Sequence, residues 1–270
     1  MTVQSAKCKR FAELHQRDGA FLIPNPWDVG SAKMLAGLGF EALATTSAGL
    51  AYTLGKADGE VTLIENLQHC ELLAGATSIP INADFENGFA DEPQDVVANV
   101  MRVAETGVAG CSIEDFDRDA HTIYDIGLAT ERIHAAVAAV ASMDMPFLLT
   151  ARAENFIRDN HDIDDTIKRL QAFSAAGADV LYAPGLASLE QVRQVRAEVE
   201  TPLNVLAPFI AGATVAELTA AGAKRISVGS ALNSVAINSL LRAGSEMLDE
   251  GSLAWTAQMA SPKIVAEFLS

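Results

Sequence analysis

One junction recurs along the chain and constrains its fold more than any other feature. A helix-like segment closes on Ala and Gly and runs straight into a short apolar strand, at 35–46 (LAGLGFEALATT), 104–115 (AETGVAGCSIED), 174–184 (SAAGADVLYAP) and 219–229 (TAAGAKRISVG). A glycine just past a helix end takes the left-handed conformation that closes the helix. The continuously apolar run behind it is the pattern of a strand buried on both faces. Gly39 and Gly107 lie 68 positions apart and Gly107 and Gly177 lie 70 apart, each twice the roughly 30–35 residues of one βα unit. Gly177 to Gly222 is 45 positions, one unit with extra chain.

The intervals hold strands without the glycine mark: 79–85 behind a helix over 62–77, 145–153 behind 129–142, and 201–208 behind 188–199, with an opening strand at 20–28. Eight strands alternating strictly with helices predict a (β/α)8 TIM barrel, because an open doubly wound sheet usually stops at five or six strands. A single domain over 1–270 follows, with a C-terminal helical extension at about 231–270 that holds one helix more than a barrel needs. The last segment, 253–269, offers Trp255, Met259, Ile264, Phe268 and Leu269 for an apolar face that either caps the barrel or packs on another subunit.

Half of the residues are hydrophobic and 20% are charged, which excludes a disordered chain. Lys and Arg number 19 against 35 Asp and Glu, and the net charge of −16 repels phosphate backbones and anionic membranes. No nucleic-acid or membrane partner is expected. Cys8, Cys70 and Cys111 have no CxxC spacing, and no signal-like or membrane-spanning run is visible, so the chain reads as cytoplasmic with reduced thiols. An acidic protein that binds an acidic substrate must reverse the sign locally with a metal or an arginine.

Barrels of this kind build their sites at the C-terminal strand ends. The first four ends are Asn25-Pro26-Trp27-Asp28, Thr45-Thr46-Ser47-Ala48-Gly49, Asp84-Phe85-Glu86 and Glu114-Asp115. The other four are Arg152, Pro184-Gly185, Asn204 and Ser227. Trp27 is a candidate substrate contact. Asp84 and Glu86 are two apart on a strand, so both side chains point to the same face, and Glu114 on the adjacent strand can reach the same point. Such carboxylates raise one another's pKa unless a cation sits among them, and oxygen-only ligands favour Mg²⁺ or Mn²⁺ over zinc. The alternative is that these acids are solvated loop residues or pair with basic residues at the rim. Arg152 ends an apolar strand, where a guanidinium can bind a carboxylate and stabilise an enolate, or else pair with Glu154 or Glu114. Backbone N–H groups of Ser47, Ala48 and Gly49 can converge on an anion.

His15, His69 and His134 fall on helices, and no His-x-His pair marks a histidine-ligated hydrolase. Lys224 enters the eighth strand at the wrong end for a Schiff base. The polar segment 115–127 (DFDRDAHTIYDIG) reads as a coreless lid carrying His121, expected to close over the site and exclude water.

LATTSAG with ADGE (43–49, 57–60), INADFENG (81–88), GCSIEDF (110–116), TAR (150–152) and PLNVLA (202–207) together resemble the isocitrate lyase/phosphoenolpyruvate mutase superfamily, in order and over nearly the whole chain. The resemblance implies an α-oxo or α-hydroxy acid substrate, an Mg²⁺ ion and an enolate intermediate. It makes Asp84 the direct metal ligand, with Glu86, Glu114 and Asp58 holding the metal's waters. It gives the substrate carboxylate to Ser47–Gly49, the carbonyl oxygen to Arg152 and a substrate-side place to Asn204. The catalytic set it implies is Arg152, Asp58, Glu114 and Ser47. It also implies exchange of a C-terminal helix between subunits of a homo-oligomer, a dimer or dimer of dimers.

The departures narrow the subgroup. Isocitrate and methylisocitrate lyases carry a Lys-Lys-Cys-Gly-His segment after strand four and a glutamate after the proline ending strand six. Here the first is absent and the second position is Gly185. The lysine and asparagine of phosphoenolpyruvate mutases are missing from the same loop. The expected activity is that of an oxaloacetate decarboxylase, a phosphonopyruvate hydrolase or an alkylmalate lyase. An idle barrel that binds a dicarboxylate as sensor or scaffold, and a class II metal-dependent aldolase, are the competing readings.

Overall fold

In the computed structural model, which describes residues 2–269, eight parallel strands form a nearly closed barrel surrounded by helices. They are β1 (Phe21–Ile23), β2 (Leu43–Ala44), β3 (Ile81–Asp84), β4 (Gly110–Glu114), β5 (Leu148–Arg152), β6 (Val180–Tyr182), β7 (Leu203–Leu206) and β8 (Arg225–Ser227). Pairing runs in sequence order from β2 round to β8 and then β1. The seam between β1 and β2 has no ladder; Ala44 N–H donates to Pro24 O at 3.1 Å, and Asn25 Nδ2 donates to Thr45 O at 2.9 Å. Gly39, Gly107, Gly177 and Gly222 have φ between +92° and +108°, the left-handed closure that the recurring junction requires.

The main apolar core lies between strands and outer helices. A second cluster closes the N-terminal end of the barrel, where Cys8, Phe11 and Leu14 of α1 (Val3–Gln16) meet Phe21, Ile23, Ala109 and Leu148. Inside the barrel the lining is polar: Thr45, Asn82, Ser112, Thr150, Asn204 and Arg225 are all buried. An interior of this kind is not the usual Val, Ile and Leu packing.

Segment 115–127 differs from the expectation of a coreless loop. It contains an antiparallel hairpin, Phe116–Asp117 against Thr122–Ile123, and both Phe116 and Tyr124 are buried. The Arg158 guanidinium lies 3.6 Å from the Phe116 ring centroid, so the aromatic finds its cover in a later loop rather than within the segment.

Behind α3 (Ser47–Thr53) the outer helices are α4 (Leu63–Ala76), α5 (Pro93–Glu105), α6 (Ile126–Ala141), α7 (Ile163–Ala175), α8 (Leu189–Glu198) and α9 (Val215–Ala220), and after the barrel come α10 (Ala231–Asp249) and α11 (Pro262–Leu269). α11 rests on α2 (Val29–Gly37) of its own chain, where Lys33 Nζ donates to Leu269 O at 3.1 Å. Phe268 supplies the contact, while Met259, Ile264 and Leu269 stay exposed. Alanine is a better helix former than glycine by about 0.8–1 kcal/mol, so Gly37→Ala should stabilise α2 if nothing met the new methyl. A Cβ there would sit 2.6 Å from the Phe268 ring. The expected outcome is therefore a loosened α11 and faster tryptic cleavage at Lys263; an unchanged rate would show that α11 is not seated on α2.

Candidate functional site

The C-terminal strand ends surround a cavity of about 250 Å³. Ser47, Ala48, Asp58, Asp84, Arg152 and Asn204 line it. A second cavity of about 480 Å³ shares Ser47, Asp58, Arg152 and Ile157 with the first and is bordered by Glu86, Glu114 and the 116–123 hairpin. Two predicted contacts line neither. Trp27 faces a separate depression beside Leu50 and His69, and Gly49 is packed beneath, where a Cβ would lie 2.5 Å from Thr46 Cγ2 and 3.0 Å from Trp27 Cβ.

Asp84 is the hinge of the arrangement. It ends β3, its backbone N–H donates to Thr45 Oγ1 at 2.8 Å, and its Oδ2 accepts the Ser47 N–H at 2.9 Å. Its Oδ1 lies 3.4 Å from Arg152 Nη1. The β4–β5 register sets Glu114 directly beside Arg152, 3.3 Å from Oε2 to Nη1. Glu86 reaches the site by a different route from strand alternation. The strand has ended at Asp84 and Glu86 has φ +46°, a left-handed turn, so the period-two argument does not extend to it. The Ser47–Gly49 turn is the first turn of α3 (Ser47–Thr53), and two of its amides are already engaged: Ser47 N–H by Asp84, Gly49 N–H by Thr46 Oγ1 at 3.3 Å.

Arg152 combines both of its expected roles. It lines the cavity, and it also pairs with Asp84, Glu114 and the fully buried Glu154, which Arg158 Nε approaches at 3.3 Å. Burial opposes the Arg152 charge, but Glu154, Glu114 and Asp84 hold it on. The acids respond in the opposite sense. Burial and the Glu154 charge push the Glu114 carboxyl well up, with Arg152 pulling back. Burial raises Glu86 to about 7 against the pull of Arg118, and Asp84 and Asp58 add to the rise. Asp58 sits on an exposed loop, yet partial burial and the Asp84 charge raise it as well.

Among the described residues, no three His, Cys, Asp or Glu side chains converge closely enough to enclose a metal. Arginines stand between the acids instead, Arg118 3.0 Å from Glu86 and Arg152 between Asp84 and Glu114. In donor chemistry the set fits a hard cation: it is all carboxylate oxygen, and Glu86 Oε1 is buried with no hydrogen-bond partner.

Four residues of the site were missed by sequence reasoning. Arg118 straps the hairpin to the loop after β2 through Gly59 O and Val61 O, and Arg158 braces Glu154 and Glu114. These are loop arginines with no pattern to announce them. Tyr182, whose ring lies under Arg152 at 5.3 Å, and Arg225 both line the inner cavity. Arg225 was detectable by the rule that singled out Arg152, a charge in an otherwise apolar strand.

A family model described as phosphoenolpyruvate phosphomutase matches residues 11–248. The crystal structure of a proposed lyase/mutase from Burkholderia cenocepacia J2315 superposes with TM-score 0.96 at 42% identity, covering 99% of this chain and 97% of that one. An uncharacterized protein of Mycobacterium tuberculosis (strain CDC 1551 / Oshkosh) is 32% identical over 222 residues, 82% of this chain and 81% of its own. The structure of a 2,3-dimethylmalate lyase, described as a PEP mutase/isocitrate lyase superfamily member, superposes with TM-score 0.86 at 27% identity over 100% of this chain and 95% of that one. The motifs at the strand ends, the barrel that carries them and these matches agree, and the chain belongs to the phosphoenolpyruvate phosphomutase family within the PEP mutase/isocitrate lyase superfamily.

Proposed function

We propose that this chain is a lyase that breaks a C–C bond, with C–P cleavage as the close variant, in a small α-oxo or α-hydroxy acid through an enolate. The observation that carries the reading is Asp84 and Arg152 on one small cavity, with Asp58, Glu86 and Glu114 around it. Asp84, Asp58, Glu86 and Glu114 would hold a divalent cation, Mg²⁺ or Mn²⁺, which when bound supplies Lewis acidity at the substrate's oxygens. Arg152 donates to the carbonyl oxygen on which negative charge builds as the bond breaks, and its three carboxylate partners keep that guanidinium in place. Asn204, fixed by its donation to Ser227 Oγ at 3.0 Å, borders the substrate space. The 116–123 hairpin covers the outer cavity on the side of Glu86 and Glu114 and limits access of water.

The exposed apolar side chains of α10, Val235, Leu240, Leu241 and Leu248, support assembly into a homo-oligomer. The activity is tested by supplying Mg²⁺ or Mn²⁺ and screening oxaloacetate, phosphonopyruvate, 2-alkylmalates and methylisocitrate for release of pyruvate, or of the homologous 2-oxo acid from the longer 2-alkylmalates, after subtracting the metal-only rate. Release from at least one is expected. Metal-dependent oxalate binding with no product from any substrate would favour the idle dicarboxylate-binding barrel, and aldehyde-dependent condensation would favour a class II aldolase.

A further inference from the structure

Arg225 opens β8 inside the barrel and is 3% exposed. Its Nε donates to Asn204 Oδ1 at 2.8 Å and its Nη2 to Thr150 Oγ1 at 3.2 Å, while Nη1 is buried without a partner. It lines the 250 Å³ cavity, and among the described residues no carboxylate stands within ion-pair distance of it. The other buried arginines are spent otherwise. Arg132 donates to the carbonyls of Glu114, Asn87 and Ala90 and, although its Nε is unpartnered, lines neither cavity, Arg169 pairs with Asp115 and Asp165, and Arg152 is shared by three acids. Burial without a counter-ion pulls the Arg225 guanidinium down to about 10, still charged at neutral pH.

A buried cation with no anion costs stability, and an apolar residue would fill a barrel interior more cheaply. The cost is intelligible if an anion arrives with the substrate. The amides that family resemblance gives to the substrate carboxylate are largely taken, Ser47 N–H by Asp84 and Gly49 N–H by Thr46. Arg152 is already neutralised. Of the charged groups on the inner cavity, Arg225 alone is left to answer a carboxylate.

We propose that Arg225, positioned by Asn204 and Thr150, binds a carboxylate of the substrate at the floor of the inner cavity. The assignment rests on the reading of that cavity as a site for a small oxo acid. Through it, Asn204 becomes a positioning residue as well as a wall.

The probe is oxalate, a small unreactive dianion, titrated calorimetrically with Mg²⁺ present into wild-type protein, Arg225→Met and Arg225→Lys, with Tm recorded for each. Arg225→Met is expected to weaken oxalate by at least about 30-fold, as loss of one partner of a buried charge pair does, with Arg225→Lys in between. Ligand-free Arg225→Met should melt at or above the wild-type Tm, because an uncompensated charge has been removed. Oxalate affinity in Arg225→Met within about threefold of wild type overturns the assignment and leaves the oxo-acid reading standing. Failure of wild-type protein to bind oxalate overturns both. If Arg225→Met does not fold, Arg225→Gln, which removes the charge and keeps a hydrogen-bonding side chain, decides: affinity within about threefold of wild type marks Arg225 as a structural brace and sinks the proposal.

Discussion

Replacing Asp84 by Asn is expected to lower turnover by about 10³-fold or more and to remove divalent-cation binding, while leaving the fold intact. The magnitude follows from the several kcal/mol that a bound cation contributes to a developing oxyanion. Asn is the informative choice because Asp84 has two duties. Its Oδ2 accepts the Ser47 N–H, and its charge faces Arg152. An amide oxygen can still accept from Ser47, so Asn removes the charge and keeps the turn. Ala removes both, and the orphaned amide adds about 1–3 kcal/mol of destabilisation to the same loss of activity. Mn²⁺ binding by titration, turnover on the substrate found in the screen, and urea unfolding separate these duties. Turnover of Asp84→Asn within threefold of wild type would remove Asp84 from the site.

The fold was legible because its punctuation is local. A left-handed glycine and the strand behind it are adjacent in sequence, so Gly39, Gly107, Gly177 and Gly222 mark half of the barrel directly. The strand-end rule then located Asp84, Glu114 and Arg152, whereas Asn204, expected at the end of its strand, is the second residue of β7 and lies level with the start of β8. The failures share a different cause. Glu86 keeps its place through a left-handed turn that alternation does not describe, and Phe116 is covered by Arg158, more than 40 positions away. Trp27 and Gly49 read as substrate contacts because they neighbour the right strands, yet they pack against one another. Arg225 is the buried first residue of its strand, at the opposite end from the residues that a strand-end pattern marks. Local pattern places the backbone, and long-range pairing decides which side chains face the cavity.

Replacing Arg152 by Met should cost both activity and stability, with a pH dependence that identifies the cause. Loss of the group that answers the oxyanion is expected to lower turnover by about 10²–10³-fold. Removing one partner from a buried ion pair typically costs about 3–5 kcal/mol, and here Glu154 is fully buried and Glu114 nearly so. Without Arg152, Glu154 retains only Arg158, at 3.3 Å, as a basic partner among the described residues, and both acids are already pushed upward by burial. In the variant their carboxyls rise further above the unfolded value. The folded protein then holds protons that the unfolded chain has released, so stability falls as pH rises above the ordinary carboxylate range. The urea midpoint of Arg152→Met should therefore lie closest to wild type near pH 5 and furthest below it near pH 8. Arg152→Lys keeps the charge but not the fork that spans three acids, and should recover more of the stability than of the turnover. A midpoint difference that does not change between the two pH values, with turnover within threefold of wild type, would mean that Arg152 neither neutralises these acids nor answers the oxyanion.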